Sequence, residues 1–245
     1  MSPLDVQDVS FGRLHSGPAD PGTRRPGLVL IHDVWGPSEH SRDLASELAS
    51  EGFVVLEIDL YRNRPKVEIE APGPFIQSLS DSEILADLEA AGVWLARQPG
   101  VGPRCGIVGV CMGGTYALLA ACTLNCYAAA APFYGILSYD AGLIANPEGR
   151  DHARKPRSPI EAAPDLRMPL LASFGAEDDF VPASDVEALR GALRGSRFPA
   201  EIDVHEGAGH AFLNRTRAAA YRESASSRAW QRVIPFLKAE LDPAY

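Results

Sequence analysis

The chain has 245 residues, 46% hydrophobic and 22% charged, which suits one globular α/β domain that needs no disulfide or metal staple. A formal net charge of −9 argues against nucleic-acid and anionic-membrane partners, whose phosphates call for clustered Lys and Arg. The cysteines Cys105, Cys111, Cys122 and Cys126 form no C-x-x-C pair, Met1 to Gly12 lacks a signal-peptide pattern, and no apolar run is long enough to span a bilayer, so a reducing cytoplasm is expected.

In chain order, Val6 to Leu14 partly alternates and predicts an antiparallel edge strand. Leu28 to Ile31 is a continuous apolar run, as for a strand buried on both faces. A helix is expected over 38–50, a second buried strand over 53–58, and a proline-rich loop over 59–75. Ser80 and Glu83 form a capping-box pattern ahead of a helix that ends near Gln98. Gly106 to Val110 reads as a strand and Met112 to about Leu124 as a helix. Strands follow over 127–133, 169–174 and 201–205, with a helix over 182–193. A last helix is expected from about Arg217 to Leu241, with Pro235 inside it.

This alternation predicts a single α/β domain over 1–245, built on a mostly parallel sheet of about seven or eight strands with helices on both faces. No repeat or linker interrupts it. The irregular stretch 137–167 follows a strand on the expected active edge and reads equally as a small cap or as a solvated loop.

The central motif is Gly109-Val110-Cys111-Met112-Gly113-Gly114, placed between a predicted strand and a predicted helix. It is the cysteine form of the G-x-S-x-G nucleophile elbow. The turn is tight enough to force Cys111 into a strained conformation, and Gly109 and Gly113 leave room for the chain to double back. The thiol then stands at a helix N-terminus, where free N–H groups favour thiolate. No G-x-S-x-G occurs elsewhere.

An elbow calls for an acid and then a histidine later in the chain. Both occur where predicted strands end. Glu177, Asp178 and Asp179 form an acidic turn after one strand, and any of them suits the part. His210 follows the Gly-rich turn after the next. The histidine would relay protons, and the acid would fix its tautomer. His205, inside a strand, reads as structural.

These residues resemble the dienelactone hydrolase (carboxymethylenebutenolidase) family of α/β-hydrolases. The resemblance rests on His32-Asp33-Val34-Trp35-Gly36, Asp59-Leu60-Tyr61, the cysteine elbow, Tyr134-Gly135, Glu177 to Pro182 and Gly209-His210-Ala211-Phe212. It implies a cofactor-free and metal-free hydrolase of small lactones or esters, acting through an acyl-enzyme on Cys111. It selects Asp178 as the acid, because that position stands one residue before Phe-Val-Pro with Asp179 between. It implies an oxyanion hole from the Val34 and Met112 N–H groups. It makes Asp33 the residue that activates the thiol and sets Trp35, Tyr134, Phe212, Asn214 and Arg215 around the substrate.

Two departures bear on specificity. Asp33 stands where the family carries Glu, one methylene longer. Asn214 stands where an arginine of the family holds a substrate carboxylate, with Arg215 beside it, and 75–79 offers no second arginine. The alternatives are a general carboxylesterase or thioesterase of small uncharged esters, a non-catalytic binder, or a thiol redox sensor. An intact nucleophile, acid and base set argues against a binder. The oligomeric state is not legible.

Overall fold

The apolar runs become the middle of one sheet. The computed structural model describes residues 4–20 and 22–241. The outermost residues of the expected 1–245 domain lie outside them. Eight strands are ordered β1-β2-β4-β3-β5-β6-β7-β8. They are β1 (Asp5–Val9), β2 (Gly12–Ser16), β3 (Arg25–Ile31), β4 (Val54–Ile58), β5 (Val101–Val110), β6 (Ala129–Phe133), β7 (Leu170–Gly175) and β8 (Ala200–His205). The first two pairings, β1 with β2 and β2 with β4, are antiparallel, and the rest are parallel.

Every residue of β4 and β6 is buried. That follows from a parallel sheet covered on both faces. The helices are α1 (Glu39–Ser50), α2 (Pro72–Ser78), α3 (Asp81–Leu95), α4 (Met112–Thr123), α5 (Pro159–Ala162), α6 (Ala183–Ala192) and α7 (Glu223–Leu241). On one face α1 and α7 cover Leu28, Leu30 and Val108. On the other, α3, α4 and α6 close over Val29, Ile31 and Ile107.

Three elements differ from expectation. The single edge strand over Val6–Leu14 is a hairpin, because the chain reverses at Ser10-Phe11 and Gly12 takes φ 143°. The expected loop 59–75 ends in α2, where Pro72 supplies a first-turn proline that needs no N–H partner. The last helix starts at Glu223 rather than Arg217, since 215–222 form turns.

The stretch 137–167 is partly folded, with short 3₁₀ turns at Gly142–Ile144 and Ala163–Asp165 besides α5. It is anchored by Lys155, only 2% exposed. The Lys155 Nζ donates to Asp81 Oδ1 at 2.6 Å and to the Tyr116 hydroxyl at 2.9 Å. Burial pulls the Asp81 pKa up and the Lys155 pKa down, and each charge opposes the shift of the other.

Because β3 leads outward to β4 while β5 lies on its other side, the chain reverses direction at the carboxyl ends of β3 and β5. In open α/β sheets that reversal opens a crevice.

Candidate active site

The elbow occupies that crevice. Cys111 is the N-cap of α4, with φ 55° and ψ −121°. This left-handed backbone is costly for a residue with a side chain and persists only where its surroundings enforce it. Here the Cys111 N–H donates to the Phe133 carbonyl at 3.0 Å, and its own carbonyl accepts from the Thr115 N–H at 3.1 Å. A Cβ at Gly109 would collide with the Gly113 carbonyl, and one at Gly113 with the carbonyl of Ile31. Both glycines are therefore needed for the strand and helix to approach. Tyr134 and Ala211 also have positive φ, 39° and 60°, so among the described residues the non-glycine positions with this geometry gather at one end of the sheet.

Asp178 follows β7 and is buried, while Glu177 and Asp179 are exposed. Its Oδ1 accepts from the N–H groups of Phe180 and Val181 at 2.9 and 3.2 Å. Its Oδ2 lies 2.9 Å from Nδ1 of His210, in the turn after β8. The imidazole is packed edge-on by Tyr134 and Phe180, with ring centroids 5.2 and 4.9 Å away. Burial alone would lower its pKa. The hydrogen bond and negative charge of Asp178, with Cys111 nearby, outweigh burial and push it up to about 10. The His210 Nε2 is buried and closes no hydrogen bond of ordinary distance and angle. Nucleophile–base contacts in free enzymes are often this loose and tighten with substrate.

The loop after β3 carries the other expected N–H donor. His32 is fully buried, with Nδ1 2.5 Å from the Asp33 carbonyl and Nε2 accepting from the Leu60 N–H at 3.2 Å. Burial lowers its pKa, which suits a neutral ring that donates at one nitrogen and accepts at the other. The Tyr61 hydroxyl lies 2.9 Å from the Val34 carbonyl and 3.3 Å from the Met112 sulfur. The two residues expected to form the oxyanion hole are thus tied to one side chain. Among the described residues, neither the Val34 nor the Met112 N–H meets a backbone acceptor outside regular helix and strand bonding.

Asp33 lies in the same loop, between His32 and Val34. Its Oδ1 accepts from the Trp35 N–H at 2.9 Å and so shapes the loop. Burial raises its pKa, against the Trp35 N–H and the nearby charges of His32, Arg217 and His210.

The five residues expected around the substrate separate. Trp35 is 44% exposed and lines a cavity of about 570 Å³. Tyr134 and Phe212 are buried and pack edge-to-face at 5.2 Å, and Tyr134 packs against His210 as well. Asn214 is buried, and its Oδ1 accepts from the N–H and hydroxyl of Thr216. Arg215 points outward to Glu47 on α1, at 3.2 Å. Asn214 Oδ1 is thus engaged within its own turn, and Arg215 is engaged by Glu47 on α1.

The profile of the dienelactone hydrolase family matches residues 11–241. The chain belongs to the dienelactone hydrolase family. An Escherichia coli (strain K12) protein named "Putative carboxymethylenebutenolidase" is 31% identical over 240 residues, covering 96% of this chain and 84% of that one. A Bradyrhizobium sp. protein named "Probable 2-oxo-3-(5-oxofuran-2-ylidene)propanoate lactonase" is 30% identical, covering 88% and 84%. A crystal structure described as a "Putative Dienelactone Hydrolase" from Klebsiella pneumoniae subsp. pneumoniae MGH 78578 superposes with TM-score 0.84 at 29% identity, covering 96% of this chain and 99% of that one. This family member is an α/β-hydrolase that acts on lactone or ester bonds.

Four residues of this family member stand at the site without having been assigned a role from sequence. His32 and Tyr61 fix the loop that presents Val34. Phe180, 42% exposed, shields one edge of His210. Arg217 lies over the Trp35 ring, with Cζ 5.9 Å from the centroid. Tyr61 was already part of a recognisable motif; Arg217 carries no local signal, because only the turns over 215–222 bring it back to Trp35.

Proposed function

We propose that this enzyme hydrolyses small lactones or esters through an acyl-enzyme on Cys111, with His210 as proton relay and Asp178 as its orienting acid. The observation that carries the reading is the pairing of His210 Nδ1 with the buried Asp178 at 2.9 Å, at the same sheet edge where the elbow holds Cys111 strained at the start of α4.

In the resting pair His210 holds the proton, and Cys111 attacks as thiolate, its sulfur bonding to the substrate carbonyl carbon. The carbonyl oxygen becomes an oxyanion between the N–H groups of Val34 and Met112. As the carbonyl re-forms, the bond to the alkoxide breaks and the alkoxide takes the proton from His210. In a lactone this alkoxide stays attached to the acyl group. Water then gives a proton to His210, attacks the thioester carbonyl and releases the acid, and sulfur leaves as thiolate. Asp33 serves this scheme by shaping the Val34–Trp35 turn. The free cysteines support a cytoplasmic setting.

The test is intact-protein mass spectrometry during turnover of a slow ester. Wild type gains one acyl mass, and Cys111→Ala gains none and loses hydrolysis while keeping its fold. Turnover retained by a clean Cys111→Ala preparation would refute the nucleophile. Cys122→Ala and Cys126→Ala should leave turnover largely intact, because burial raises both thiols, to about 12 and about 11.

A further inference from the structure

Tyr61 has two sides. One holds the Val34 carbonyl and the Met112 sulfur; the other, with Trp35, forms a wall of the 570 Å³ cavity. The cavity is of ordinary ligand size, larger than the few atoms around a scissile bond require. Its lining includes Trp35, Tyr61, Val67, Ile69, Phe75 and Leu79, an apolar surface built by the 59–71 loop and α2. Trp35 and Val67 remain 44% and 59% exposed, large apolar surfaces that the fold itself leaves uncovered.

The rim is cationic. Arg64, Lys66 and Arg154 contribute, against one acid, Glu83. Arg64 is engaged by Asp87 at 2.9 Å and by Glu83 at 3.9 Å. Among the described ion pairs Lys66 has no partner, and Arg154 has a single exposed contact to Asp151 at 3.6 Å. Two cations at the mouth of an apolar cavity are thus available to a ligand.

We propose that this cavity is a subsite for the distal part of the substrate, and that it takes an extended apolar group ending in an anion. The proposal rests on the ester-hydrolase reading above. The apolar stem displaces water from Trp35, Val67 and Ile69, and the terminal anion stays at the wet rim beside Lys66 and Arg154. A charge placed there keeps most of its hydration, so binding it carries little of the penalty of full burial.

Two substrate series test this. One is the monomethyl esters of straight-chain dicarboxylic acids; the other is the acetate esters of straight-chain ω-hydroxy acids. Each is paired with its neutral counterpart, in which the far carboxylate is methylated. The series that responds identifies which half of the substrate enters. In that series kcat/KM should rise with each added methylene, by up to roughly fourfold per methylene, and then level off as the cavity fills. The far carboxylate should beat its neutral counterpart, and that advantage should shrink as salt is raised. Lys66→Glu with Arg154→Glu should cut the charged-to-neutral ratio roughly tenfold, read as a ratio so that a general loss of active protein cancels. Ile69→Trp should flatten the chain-length dependence.

Flat dependence in both series, or a charged-to-neutral ratio untouched by salt and by the double variant, would overturn the subsite while short esters still turned over through Cys111. Failure of the underlying reading looks different: no acyl mass on Cys111 with any ester, short or long.

Discussion

Asp178 and Asp179 differ by one position and by burial. Asp178 is buried and accepts from two backbone N–H groups and from His210, whereas Asp179 is exposed. Asp178→Asn should therefore drop kcat by roughly four orders of magnitude, the cost of the same change in a comparable serine triad, and Asp179→Asn should stay near wild type. Steady-state rates on one activated ester decide it, and a worse Asp179→Asn would assign the wrong carboxylate. His210 carries a stability signature too. Its folded pKa is raised from 6.5 to about 10, so the folded protein binds this proton more tightly than the unfolded chain. The resulting stabilisation is complete below about pH 6.5 and is lost as pH rises through about 10. Urea unfolding of wild type against His210→Gln should show the wild-type advantage shrinking from acid to alkaline pH; an advantage that grew with pH would contradict the protonated ring. Motif residues with short-range geometric duties, such as Gly109, Cys111 and Gly113, were legible because the turn dictates them. Asn214, Arg215 and Arg217 were not, since their orientation depends on Glu47 and on the path of the 215–222 turns.

Elements were legible where their pattern was intrinsic. The buried strands and the Ser80 cap lie where the residues put them, since a side-chain oxygen ahead of an apolar run serves the free N–H groups of a first turn. What failed was tertiary in origin. The turn of the first hairpin carries no Asn-Gly or Asp-Gly signal, and α2 hides among prolines that mark a loop elsewhere. The 137–167 stretch shows a third case, because its anchor is a lysine, a residue type that is rarely buried. Lys155 passes over the rings of Tyr116 and Tyr139, each 5.3 Å away, to reach Asp81 at the start of α3. Removing one partner of a buried pair strands the other charge. Lys155→Met should thus destabilise by about 3–5 kcal/mol, whereas Lys155→Met with Asp81→Leu should recover most of that loss. Denaturant midpoints of the single and double variants check this, and a double variant as unstable as the single would show that the pair does more than cancel its own burial.

At the scale of the whole molecule, the βα alternation made the parallel sheet and its carboxyl edge legible, and with them the loops that converge there. Specificity was less legible, because it depends on which charged side chains finally face the crevice. Dienelactone carboxylates put this to the test. A carboxylate attached to the small lactone ring must sit beside Cys111, inside the crevice and away from the cationic rim of the outer cavity. There it loses hydration and needs a cation in return. Position 214 offers Asn, already bonded to Thr216; Arg215 is held by Glu47; and α2 contains no arginine. Arg217 stands over Trp35, in the loop that carries Val34, and its charge already acts on Asp33 there. The expected result is a kcat/KM for the dienelactone carboxylate no higher than for its neutral methyl ester. The loss of a charged anchor is worth about 2–5 kcal/mol, so an anchored enzyme would show a ratio of tens to thousands instead. A ratio that high would refute the expectation, and its collapse in Arg217→Ala but not in Arg215→Ala would identify Arg217 as the anchor.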